Sequence, residues 1–98
     1  NMETQKVKRE LRELRYYYSR KEQMDALFRE TGETRIPAIV RKYNNAIRLA
    51  PAQLYDLYGC LYIRNQTQEA AAIELNYSTE YVRRLNKALL QFFARQNG

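Results

Sequence analysis

Apolar residues recur at steps of four, three and four in Val7, Leu11, Leu14 and Tyr18, with Met24, Leu27 and Phe28 further on. That spacing gathers side chains on one face of a helix, so a long amphipathic helix is predicted from roughly Gln5 to Arg29. Lys8-Arg9-Glu10, Arg12-Glu13 and Arg20-Lys21-Glu22 alternate in sign around it, the pattern of local ion pairs on a wet face. The run Arg15-Tyr16-Tyr17-Tyr18-Ser19-Arg20 interleaves rings with cations, which suits stacking on single strands. Three successive helical residues point in three directions, however, so core anchoring is the role assigned to these tyrosines. The stripe from Val7 to Tyr18 is expected to pack on its own domain, with homodimerisation left open by so short a repeat.

Thr31-Gly32-Glu33-Thr34-Arg35 breaks the period, and Gly32 suits the left-handed residue that ends a helix. Pro37 fits the first turn of a second helix with Ile39, Val40, Tyr43 and Ile47 inward and Arg41, Lys42 and Arg48 outward. Pro51 restarts the chain as a third helix through about Ile63. Leu54, Tyr55, Leu57, Tyr58, Cys60, Leu61, Tyr62 and Ile63 nearly encircle that helix and make it the expected hub of the core.

The segment Thr67 to Leu90 has the layout of a helix-turn-helix. Thr67 is placed to cap its first helix and Glu69 to meet the electropositive first turn. Ala70, Ala71 and Ala72 permit close approach of a crossing helix, while Leu75 supplies bulk. Asn76 tolerates the left-handed conformation, Tyr77 bridges to the core, and Ser78 caps the next helix. In that second helix Val82, Leu85, Leu89 and Phe92 form the inward stripe. Glu80, Arg83, Arg84, Lys87, Gln91 and Arg95 then lie opposite, with Thr79 at their N-terminal edge. The tail from Ala94 to Gly98 is expected to fray.

Ala50-Pro51, the Leu54, Leu57, Tyr58, Leu61 ladder, Gln66-Thr67-Gln68-Glu69, Ala72, Leu75, Ser78, Val82-Arg83-Arg84 and Lys87-Ala88-Leu89 carry a resemblance. The stretch from Leu49 to Phe92, a little under half the chain, resembles sigma-factor region 4, which recognises the upstream promoter hexamer, and phage regulators of the RinA and ArpU type. The resemblance implies that Thr79, Glu80, Arg83 and Arg84 face bases or phosphates. Where that family often has glycine this chain has Asn76, and Thr79 and Tyr81 stand where it often has basic or small polar residues, so no base preference is carried over. Residues 1–48 match no sigma region.

The length of 98 residues fits one all-α domain, with the long N-terminal helix in residues 1–48 and the helix-turn-helix in 49–93. A net charge of +6 fits a polyanionic partner, and charge alone would equally fit acidic proteins or membrane headgroups. Residues 1–50 hold 12 Lys and Arg against 7 Asp and Glu, whereas 51–98 hold 5 against 4, so the excess lies outside the helix-turn-helix. The N-terminal half is therefore a candidate source of phosphate grip.

With no histidine, a single cysteine at Cys60 and no glycine-rich phosphate loop, the chain carries no pattern for catalysis, and neither metal nor cofactor is expected. Cys60 reads as a small core residue. No segment has the unbroken apolar length of a membrane span or the form of a signal peptide, so a cytoplasmic protein is expected.

These features together predict a transcriptional regulator, phage or mobile-element encoded, that binds double-stranded DNA through the helix starting near Ser78. Thr79, Glu80 and Arg84 are assigned to base edges, Arg83 and Lys87 to phosphate. The alternative is a protein-interaction module for RNA polymerase or another regulator, with Ile73 and Leu90 as a partner-facing patch. A small-terminase-like DNA-packaging subunit is the third reading.

Overall fold

A computed structural model describes residues 2–97, with side chains through residue 96. The fold is all-α: α1 (Met2–Ser19), α2 (Lys21–Thr31), α3 (Arg35–Ala46), α4 (Ala52–Tyr58), α5 (Gln68–Leu75) and α6 (Thr79–Asn97). A short 3₁₀ turn, Ile47–Leu49, ends α3, and a π-helical turn, Gly59–Ile63, widens the end of α4. One apolar core runs through the chain from Val7 to Phe93. Helix α1 packs on α3, on the π turn and on α6, while α4 and α5 close the other side of α6.

The predicted first helix is two helices, because the chain leaves helical geometry at Arg20 (φ −139°, ψ 44°). Ser19 Oγ donates to the Tyr16 carbonyl at 2.6 Å, a local bond that competes with the helical ladder. The bend allows Phe28 to stack on Tyr17 with centroids 5.9 Å apart, and the Tyr17 hydroxyl to donate to Asp25 at 2.7 Å. In a straight helix residues eleven apart would be separated by about 16 Å along the axis. The three tyrosines do diverge: Tyr17 is buried, Tyr18 is half-buried against Asn44 of α3, and Tyr16 is exposed beneath the Arg20 guanidinium. Core anchoring therefore does not hold for Tyr16.

The charges of α1 are also arranged differently from local pairs on a wet face. Glu10 accepts from Lys42 Nζ at 2.7 Å and from the Tyr43 hydroxyl at 2.6 Å, and Glu13 takes both terminal nitrogens of Arg35 at 2.6 and 2.9 Å. Both are ties between helices, from α1 to α3. Burial pushes the Glu10 carboxyl up, but hydrogen bonds from Lys42 and Tyr43 and the Lys42 charge outweigh it and hold the group below the usual carboxylate range.

Gly32 ends α2 at φ 75°, and its amide donates to the Phe28 carbonyl, as a left-handed cap requires. Pro37 lies in the first turn of α3, where Ile39, Tyr43 and the following Ile47 are buried. Pro51 precedes α4, and its carbonyl accepts from Leu54 and Tyr55. The α4 hub is buried at Leu54, Leu57, Tyr58, Cys60 and Leu61, whereas Tyr55 turns outward. Instead of fraying, α6 continues through Ala94 to Asn97; Gly98 lies outside the described residues.

Candidate nucleic-acid interface

Two caps and a left-handed residue set the geometry of α5 and α6. Thr67 Oγ1 accepts from the Ala70 amide at 3.0 Å and Ser78 Oγ from the Tyr81 amide at 3.0 Å, each satisfying a donor the helix itself leaves open. Between them Asn76 adopts φ 61° and ψ 45°, so the connection needs only three residues. Ala71 and Ala72 are buried where α5 meets its neighbours, and Ala70 is exposed. Ser78→Ala is expected to lower stability by about 1 kcal/mol in a urea melt, whereas Thr79→Ala, one residue into the exposed turn, should leave the midpoint nearly unchanged.

Further ties fix the pair to the rest of the fold. Glu74 of α5 accepts from Gln66 Nε2 at 2.7 Å and from Arg64 Nη2 at 2.8 Å, and these bonds, Gln66 foremost, hold its carboxyl below the usual range. Cys60 lies beneath, fully buried, with burial pushing its thiol up. Gly59 gives Arg64 room: a Cβ there would meet the guanidinium at 3.2 Å. Tyr81 is half-buried, edge-on to Tyr77 at 4.9 Å, and its hydroxyl donates to Gln53 of α4 at 3.1 Å. Tyr81 thus buttresses the start of α6, a role hidden in the sequence because its partner is 28 positions away.

Thr79, Glu80, Arg83, Arg84 and Lys87 are all exposed, and they share one side of α6. Glu80 and Arg83 form an ion pair one turn apart, with both side chains largely open to solvent. An exposed pair of this kind contributes little to stability, so an anion can compete for Arg83 at small cost. Among the described residues Arg84 and Lys87 have no ion-pair partner.

The inward face differs from the expected stripe in two places. Phe93 is fully buried and Phe92 only partly so. Leu90 is 8% exposed and belongs to the core, so it does not join Ile73 in a partner-facing patch. Ile73, at 84% exposure, does project from α5.

Leu90 also borders two adjoining hollows between α1 and α6. One, about 420 Å³, is lined by Thr4, Lys8, Arg83, Asn86, Lys87, Leu90 and Gln91. The other, about 260 Å³, adds Leu11, Arg12, Arg15 and Tyr62. Lys8 and Arg12 are the residues here that sequence reasoning set aside as ordinary wet surface; the excess of cations in the first fifty residues was the only signal pointing to them.

No helix among the described residues is long and apolar enough to cross a membrane, and no cluster of three or more His, Cys, Asp or Glu that could hold a metal ion occurs among them. Comparison of the chain with protein-family models, with curated proteins and with solved structures finds no match.

Proposed function

We propose that this protein is a DNA-binding regulator that inserts the N-terminal half of α6 into the major groove of duplex DNA. The observation that carries the reading is the exposed side of α6, where Arg84 and Lys87 project with no ion-pair partner among the described residues, beside Thr79 and the Glu80–Arg83 pair. A helix is the element that fits the major groove, and its first turns are the part that reaches base edges in helix-turn-helix proteins. The capped three-residue connection holds α6 to α5 and supports the same reading.

Thr79, Glu80 and Arg84 are assigned to base edges. Glutamate accepts from cytosine N4, and arginine makes a paired contact to guanine O6 and N7, each good pair giving about 1–3 kcal/mol of discrimination. Arg83, released from Glu80, and Lys87 are assigned to phosphate. Arg84→Ala is therefore expected to weaken binding to a preferred site, obtained by selection from random duplexes, more than binding to random DNA. Lys87→Ala should weaken both and reduce the salt dependence by about one unit of log–log slope. Equal losses on both DNAs for Arg84→Ala would sink its assignment.

A second reading, contact with RNA polymerase or another regulator, has Ile73 in its favour, an almost fully exposed β-branched residue on α5. Binding of purified polymerase in the presence of nuclease, lost on Ile73→Ser, would support it. Direct duplex binding without polymerase retention supports the first.

A further inference from the structure

We propose that the groove between α1 and α6 seats one strand of a sugar-phosphate backbone, with Lys8 and Arg12 of α1 and Lys87 of α6 contacting its phosphates. This rests on the reading of α6 as a duplex-binding helix and extends the contact surface to an element in the other half of the chain.

The groove follows from how α1 distributes its charge. With Val7 at the centre of the buried stripe, a helix turning roughly 100° per residue places Thr4, Lys8, Arg12 and Arg15 at about +60° to +140°. Glu3, Glu10 and Glu13 fall at roughly −40° to −120°, with Lys6 among them at about −100°. The buried ridge of Val7, Leu11 and Leu14 separates the two flanks. On that flank Glu10 and Glu13 are paired to α3, through Lys42 and Arg35. The basic flank looks onto α6, where Leu90 marks the line of contact and Arg83 and Lys87 stand just outside it.

The two hollows share Lys8, Asn86 and Leu90, so they form one continuous track. No carboxylate lines either of them; Glu3 lies beyond the far end, with Thr4, Gln91 and Arg95. Lys8, Arg12 and Lys87 have no ion-pair partner among the described residues. Arg15 is already committed, to the Asn65 side chain and the Gln66 carbonyl, and it braces the track. The Asn86 carboxamide oxygen accepts from the Tyr62 hydroxyl at 2.7 Å, which leaves its N–H groups as donors. A track of cations and amide donors without a facing acid is complementary to a line of anions. Lys8 and Arg12, four residues apart, are about 6 Å apart along the axis, a spacing that meets neighbouring charges of a polymer instead of a single ion.

The test is a titration of the whole chain with a labelled random-sequence duplex at several salt concentrations. It compares the wild type with Lys8→Gln/Arg12→Gln and with a charge-matched control, Arg41→Gln/Arg48→Gln, on α3 and the turn after it. Thermal melts confirm that each variant folds. The groove variant is expected to bind about tenfold or more weakly at near-physiological salt and to lose about two units of log–log salt slope, the yield of two phosphate contacts. The control should keep nearly all of the slope. A wild-type chain that binds no duplex would overturn both the proposed function and this inference. A wild type that binds, with the groove variant matching the control, would overturn the groove alone. Polyglutamate competing as well as duplex DNA would assign the groove to an acidic protein chain.

Discussion

Phe93→Ala is expected to remove about 3–5 kcal/mol of stability. The ring is fully buried, stands edge-on to Tyr43 with centroids 4.8 Å apart, and meets Tyr58 at 5.7 Å. Truncation would leave a void walled by two rings that are themselves held in place: the Tyr43 hydroxyl on Glu10 and the Tyr58 hydroxyl on Asn44. Walls so anchored cannot collapse into the gap, which places the cost towards the upper part of that range. For a domain of this size the melting temperature should fall by roughly 15 °C or more. Phe92→Ala, at the half-buried neighbouring position, should cost much less. Equal losses for the two variants in calorimetry would contradict the packing described for α6.

Glu10→Ala is expected to cost about 1–3 kcal/mol, below the range for breaking a buried pair, because Lys42 is only partly covered and can return to water. The substitution also removes the acceptor beneath the Tyr43 hydroxyl. The same carboxylate gives the fold an acid limit. Glu10, Glu13, Asp25 and Glu74 are all held below their ordinary values in the folded state. A group with a depressed folded pKa stabilises fully above its unfolded value, near 4, and loses that contribution as pH falls through the folded one. The melting temperature should therefore be level from pH 7 to about 5 and then decline. Glu10→Gln should decline less steeply. A wild-type profile that stays flat down to pH 3 would show that these bonds do not couple to folding.

Features that a residue settles with its own backbone were legible in the sequence. Gly32 and Asn76 take the left-handed conformation, Thr67 and Ser78 cap, and Pro51 precedes a helix, because each outcome depends on atoms within three or four positions. The exposure of Thr79, Glu80, Arg83, Arg84 and Lys87 was legible for a similar reason, since a helix fixes which of its own residues share a side. Misreadings arose where distant partners decide. The bend at Arg20 is favoured by Phe28 reaching Tyr17, and this also buries Tyr17 more deeply than Tyr18. Leu90 is covered because α1 lies on that flank of α6. The exchange of Phe92 for Phe93 has a different source. A 3–4 spacing continued along a straight helix drifts by about 20° per heptad. With Leu90 also buried, the covered face of α6 centres near Val82, and the position eleven residues on returns close to that angle while the position ten on does not. The pairing of Glu10 and Glu13 with α3 had no local signal, and with it the sorting of charge on α1 was hidden.

The contact of α1 with α6 joins residues some eighty positions apart. On the ribosome, α1 emerges long before α6, one of the elements it packs against, has been synthesised. Helix α3 and the π turn give it only a partial berth, so its apolar side stays within reach of chaperones until α6 leaves the exit tunnel. Closing so long a loop in one late step makes folding slower than the helical content alone would suggest.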